Sequence, residues 1–223
     1  MTEEDERLRE EKNAEAEKSP EDYEKLEKWI NFIFDPVSAW KNEGIQKIIF
    51  DDAVKDLLEN TPNLPKVSSM GLTRAVKFSK MYLAPNIPDK KIKNGISNDR
   101  FGVIGLLEKE DVFALIDEKT ALFAPKNGLM ITNIGIFCRT TETNWDPDYP
   151  TGAIGLPWRI DDSRITSLMH AKTLMLSEIA LEIDGMADFP FPVGGTGLYN
   201  SEMLVVHNLI SGLIDIANEQ NQQ

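Results

Sequence analysis

The chain has 223 residues, 41% apolar and 27% charged, enough for one large domain or two small ones on an ordinary core, which excludes a mainly disordered, collagen-like or repeat-dominated protein. Thirty-seven acids against 24 bases give a formal net charge of −13, which argues against a nucleic-acid-binding surface and suits a basic partner better. One cysteine, Cys138, allows no internal disulfide, and with neither a secretory apolar core nor a membrane-length apolar run a reducing, cytoplasmic setting is expected.

Residues 1–19 read as an acidic flexible arm. Leu8 apart, they offer almost nothing apolar to bury against the entropy of ordering. Charge is unevenly spread along the chain. Residues 1–28 hold twelve acids and six bases. Residues 66–100 hold eight bases (Lys66, Arg74, Lys77, Lys80, Lys90, Lys91, Lys93 and Arg100) and two acids, Asp89 and Asp99. The plain account is two solvated surfaces; the sharper one is electrostatic docking of the arm, or of an anionic partner, on the basic segment.

Residues 20–83 are predicted to be a helical region. Ser19-Pro20-Glu21-Asp22 is a cap, a first-turn proline and first-turn acids, with Tyr23, Leu26, Ile30 and Ile33 following at helical spacing. A short second helix is expected through Val37 and Trp40. Phe50-Asp51-Asp52 leads into a third over Ala53, Val54, Leu57 and Leu58, stopped before Pro62. Residues 70–82 read as a fourth, with Arg74 and Lys77 on one face.

Segment 84–88, with Pro85 and Pro88, reads as a proline-marked linker, and 89–223 as a β module. Val112–Asp117 and Thr120–Ala124 are short apolar runs, Pro125-Lys126-Asn127-Gly128 suits a hairpin before Leu129–Thr132, and Asn133-Ile134-Gly135 turns the chain into Ile136–Arg139. Glu178–Asp184 alternates like a half-buried strand. From a Ser201 cap, Leu204, Val205, Leu209, Leu213 and Ile216 mark an amphipathic final helix.

Within Lys90–Arg139, the stretch VFALIDEKTALFAPKNGLMITNIGIFCR combines an apolar strand ending in aspartate, a Lys-x-Gly turn, Gly-Leu-x-x-Thr and a Gly-Ile-aromatic strand. It resembles small bacterial pleckstrin-homology-like (PH-like) modules. The resemblance implies a bent antiparallel sheet or partly open barrel capped by a C-terminal helix, used as a binding platform, and carries over no catalytic residue. Two features depart from it: the insertion Thr140–Gly155 and the helical front region.

Chemistry is sparse. Cys138 with His170 or His207 would be a nucleophile set, but neither histidine has a local signature, and a cysteine in an alternating strand is usually a small buried hydrophobe. No zinc or calcium spacing is recognisable, Asp146, Asp148, Asp161 and Asp162 included. Pro192–Leu198, with its glycines at 194, 195 and 197, lacks the lysine of a phosphate loop and reads as a connector. Trp29 and Trp158 read as core. Trp145, in the polar loop with Asp146, Asp148 and Tyr149, has the composition of an interface anchor.

The sequence therefore predicts an α+β protein that is no enzyme and needs no cofactor or metal. Its expected role is a protein-interaction module, an adaptor or inhibitor-like partner. The expected contacts are Trp145, Asp146, Asp148 and Tyr149, together with an anionic-partner surface of Arg74, Lys77, Lys90, Lys91, Lys93 and Lys126. Binding of anionic lipid or phosphate headgroups is the alternative, opposed by the net charge.

Overall fold

The computed structural model describes residues 20–21, 23–24, 27–28, 47–62, 67–70, 76–96, 106–120, 128–140, 152–160, 163–172, 177–183, 186–191 and 200–220. Pro20, Glu21, Tyr23, Glu24, Glu27 and Lys28 are helical, where the Ser19-Pro20 signal starts a helix. The arm over 1–19, the helix expected from Val37 and the 192–198 connector lie outside the described residues.

Helix α1 (Asp52–Asn60) forms as its caps dictate. The Asp51 carboxylate accepts from the Val54 N–H at 3.1 Å, and the helix ends two residues before Pro62. It buries Val54 and Leu58, four residues apart on one face.

The helix expected over 70–82 is not there. Strand β1 (Val67–Met70) pairs antiparallel with β2 (Val76–Leu83). β2 in turn lies along β3 (Val112–Thr120), from Lys77 opposite Thr120 to Leu83 opposite Ala114. Val76, Phe78 and Tyr82 are β-branched and aromatic residues that favour a strand, Met81 is buried, and β3 supplies the backbone partners that a strand needs. The expected linker at 84–88 is also structured otherwise. Ala84–Pro85 is a turn with a cis peptide, and Ile87 is buried in the common core. β2, that turn and α2 (Asp89–Ile96) thus share one core with the sheet, through Met81, Ile87 and Ile92.

A 3-10 turn (Lys109–Asp111) opens β3, and β4 (Gly128–Thr132), β5 (Gly135–Thr140) and β6 (Gly152–Pro157) complete a six-stranded antiparallel meander in chain order. The first two expected strands differ in extent: β3 runs unbroken to Thr120, and 121–127 lies outside the described residues. Val112–Ile116 and all of β4 are buried, which is why these strands read as continuous apolar runs and not as alternation. The Asn133–Gly135 turn falls where the sequence places it.

Trp158 joins this sheet to the next. Its N–H donates to the Ile134 carbonyl at 3.2 Å, its ring Nε1 donates to the Thr132 carbonyl at 2.8 Å, and its own carbonyl accepts from Ile165 N–H at 3.2 Å. The second antiparallel sheet contains β7 (Arg159–Ile160), β8 (Ser163–Lys172), β9 (Ser177–Ile183) and β10 (Met186–Phe191), ordered β10-β9-β8-β7. β9 covers the alternating stretch anticipated near 178–184.

The final helix, α3 (Asn200–Gln220), packs on β8, β9 and α1. It begins one residue ahead of the expected Ser201 cap. Its buried face is Val206, Leu209, Ile210, Leu213, Ile214 and Ala217, whereas Leu204 is exposed. Of the expected stripe, Leu209 and Leu213 are buried, Val205 and Ile216 are partly buried and pack against the same core, and Leu204 alone is exposed. α3 is apolar around much of its circumference, so tertiary packing, not periodicity, selects the inward face. The architecture is α+β, with two antiparallel sheets and a C-terminal helix.

Candidate interaction surface

One end of the six-stranded sheet gathers four stretches of chain. Ile48 N–H donates to the Asn133 carbonyl at 2.8 Å, and Asn133 N–H donates to the Asp111 carbonyl at 2.8 Å. The Asn133 amide Nδ2 also donates to Asp111 Oδ1 at 2.6 Å, Lys47 Nζ lies 3.7 Å from the same oxygen, and Glu108 N–H donates to Oδ2 at 2.9 Å. Asp111 thus ties the segment before α1, the 3-10 turn and the β4–β5 turn into one unit. α2 joins through the Lys109–Asp89 ion pair. That contact lowers the Asp89 carboxyl from its ordinary value and raises Lys109, the hydrogen bond first and the Coulombic attraction next.

Beneath this surface the Thr132 hydroxyl, fully buried, donates to the Gly135 carbonyl at 2.8 Å and accepts from the Ile134 and Gly135 N–H groups at 3.2 and 3.1 Å. One side chain thereby satisfies three backbone groups of a turn shut away from water.

On this scaffold Ile49 is 66% and Phe50 48% exposed. Sequence reasoning read Phe50 only as the lead-in to a helix. A signal was available: an apolar residue ahead of an N-cap normally packs on the fourth helical residue, which here is Lys55. Without that apolar staple partner, the Phe50 ring rests on Phe113 instead, centroids 5.8 Å apart and planes at 52°, with its outer part in solvent.

Of the residues expected to meet an anionic partner, Lys90 and Lys93 are exposed on α2, and half-buried Lys91 holds Nζ 5.8 Å from the centre of the Tyr82 ring. Lys77 occupies a β2 position opposite Thr120. Arg74, Lys126, Trp145, Asp146, Asp148 and Tyr149 lie outside the described residues, as do Asp161, Asp162 and the glycines at 194, 195 and 197. Cys138 sits in β5 between Leu129 and Ile154, and His170 in β8 opposite Ile179 in the other sheet. The His207 ring on α3 lies 3.4 Å from its neighbour Asn208, Nδ1 to Oδ1. Trp158, 2% exposed, is the core residue its sequence context suggested.

Among the described residues no group of three or more His, Cys, Asp and Glu could hold a metal ion, and no helix is long and apolar enough to cross a membrane. Compared with known proteins, the chain matches no family model, no curated protein and no solved structure.

Proposed function

We propose that this chain is a non-enzymatic interaction protein, an adaptor or inhibitor-like partner, working in the cytoplasm through a PH-like platform. The observation that carries the reading is the sheet end around Asp111: Ile49 and Phe50 are exposed on a hydrogen-bonded frame, flanked in the chain by Lys47 on one side and Asp51 and Asp52 on the other, with Lys47 3.7 Å from Asp111. Apolar side chains encircled by polar ones are the layout of a protein-binding patch. The antiparallel meander and the closing helix support the PH-like element of the proposal.

Headgroup binding is the second reading, favoured by the exposed Lys90 and Lys93. Charge balance weighs against it at this end. Stretches 47–52, 89–96 and 108–111 together carry five lysines and six acids, so the local field does not attract an anionic bilayer.

Affinity capture from extract of the source cell, with the full chain and an Ile49→Ser/Phe50→Ser double variant as baits, tests the proposal. A stoichiometric protein retained by the first and lost by the second is expected. Sedimentation with anionic vesicles that collapses on Lys90→Glu/Lys93→Glu, with no protein retained, would replace the adaptor reading by the headgroup one.

A further inference from the structure

Lys47-Ile48-Ile49-Phe50-Asp51-Asp52 has its two exposed apolar residues at the centre, a cation two positions before them and an anion two positions after. Ile48 is buried, and Asp51 is committed as the cap of α1, accepting from Val54 N–H and from Gln220. Lys47 and Asp52 are the exposed charges that flank the pair. Lys47 keeps 58% of its side chain in solvent, and its Nζ stands 3.7 Å from Asp111 Oδ1, an oxygen that the Asn133 amide already engages at 2.6 Å. An ammonium has three protons to donate, so Lys47 has capacity for a second anion. The Ile49 N–H and carbonyl are both held by Gln220. The segment therefore meets a partner through its side chains, not by adding a strand.

This order of charge is complementary to itself when reversed. We propose that this end of the sheet is a homodimer contact, a second copy docking antiparallel about a two-fold axis that passes between Ile49 and Phe50. Ile49 of each copy then faces Phe50 of the other, and Lys47 of each faces Asp52 of the other, every contact being made twice. The proposal rests on the reading of this surface as an interaction patch and names its occupant. Net charge favours this place of contact: a chain at −13 repels its own kind, yet stretches 47–52, 89–96 and 108–111 carry five lysines against six acids, so two copies meet here against little local repulsion. Two apolar side chains per copy make a smaller centre than a standard interface has, so the dissociation constant falls at about 10 μM to 1 mM.

The test is sedimentation equilibrium of the full chain up to about 1 mM at physiological salt, which screens the global repulsion. Wild type is expected to pass from monomer to dimer, and Ile49→Ser/Phe50→Ser to stay monomeric. Lys47→Glu and Asp52→Lys alone should each dimerise about tenfold more weakly, because each sets like charges opposite one another twice. Mixed in equal amounts they should associate again, since the mixed dimer restores both opposite pairs. Each variant brings any folding defect into the mixture unchanged, so this rescue reads the contact and not stability.

A wild type that stays monomeric, a dimer that survives the serine substitutions, or a mixture no tighter than its components overturns the proposal. The adaptor reading is judged separately by affinity capture: a monomeric wild type that still retains a protein partner through Ile49 and Phe50 sinks the homodimer alone, and one that retains none sinks both.

Discussion

Gln220, in the last turn of α3, grips the backbone of Ile49, 171 positions away in the chain: its Oε1 accepts from Ile49 N–H at 2.8 Å and its Nε2 donates to Ile49 O at 3.1 Å. The same Nε2 donates to Asp51 Oδ2 at 2.9 Å. The end of the final helix therefore holds the residue that the proposed interaction surface exposes most, together with the cap of α1.

Replacing Gln220 by Ala should cost about 0.5–1.5 kcal/mol in urea unfolding, nearer the lower figure because water can reach the freed groups. Gln220→Glu should be worse at neutral pH, since a carboxylate there faces the Asp51 carboxylate and the Ile49 carbonyl, and should recover on acidification as it protonates. A glutamate variant no weaker than the alanine one at neutral pH would show that the Asp51 contact contributes nothing.

Asp51 gives the pH dependence a sign. The Val54 N–H, and after it the Gln220 amide, hold its carboxyl below the ordinary 3.8 despite the opposing effect of desolvation. A lowered folded-state value means stabilisation that is complete above the unfolded value and lost as pH falls from there through the folded one. Asp51→Asn keeps a cap and should remove this acid limb; Asp51→Ala should cost about 0.5–2 kcal/mol at neutral pH. Unfolding curves across the acid range read both.

Thr132→Val nearly conserves shape but orphans two N–H groups and a carbonyl. A loss of about 1–3 kcal/mol or more is expected, with Thr132→Ser keeping most of the stability. Equal losses for serine and valine would place the cost in packing instead.

Two glycines should respond differently to a methyl group. A Cβ on Gly135 would lie 2.2 Å from the backbone oxygen of Leu156, which its strand pairing fixes, so Gly135→Ala should lose about 1–3 kcal/mol or more. At Gly212 the Cβ would meet only the Leu57 methyls, at 2.8 and 2.9 Å, and a half-buried leucine end can turn away. The gain in helix propensity, about 0.8–1.0 kcal/mol, then offsets the repacking and leaves Gly212→Ala near wild type. Thermal midpoints of the two variants decide this.

The exposed Asp89–Lys109 pair should matter little. Asp89→Asn is expected to leave the thermal midpoint unchanged at physiological salt, any small effect at low salt fading as salt is added.

Part of this fold is settled among neighbouring residues and was legible in their order. Asp51 and Pro62 bound α1 because a cap and an absent N–H act within one turn, and Asn133–Gly135 turns β4 into β5 because those residue types meet the turn's local demands. The apolar runs over Val112–Asp117 and Leu129–Thr132 marked strands β3 and β4. Other features took their form from distant partners. Residues 70–82 satisfied a helical reading, yet β3 gives 77–83 a hydrogen-bonding edge; α3 has several apolar faces, of which the sheet and α1 select one; and Ile49 meets Gln220 across the intervening meander. A cap or a turn is fixed within a few residues, whereas a buried face or a clamp across the fold depends on partners that only the assembled core brings into reach.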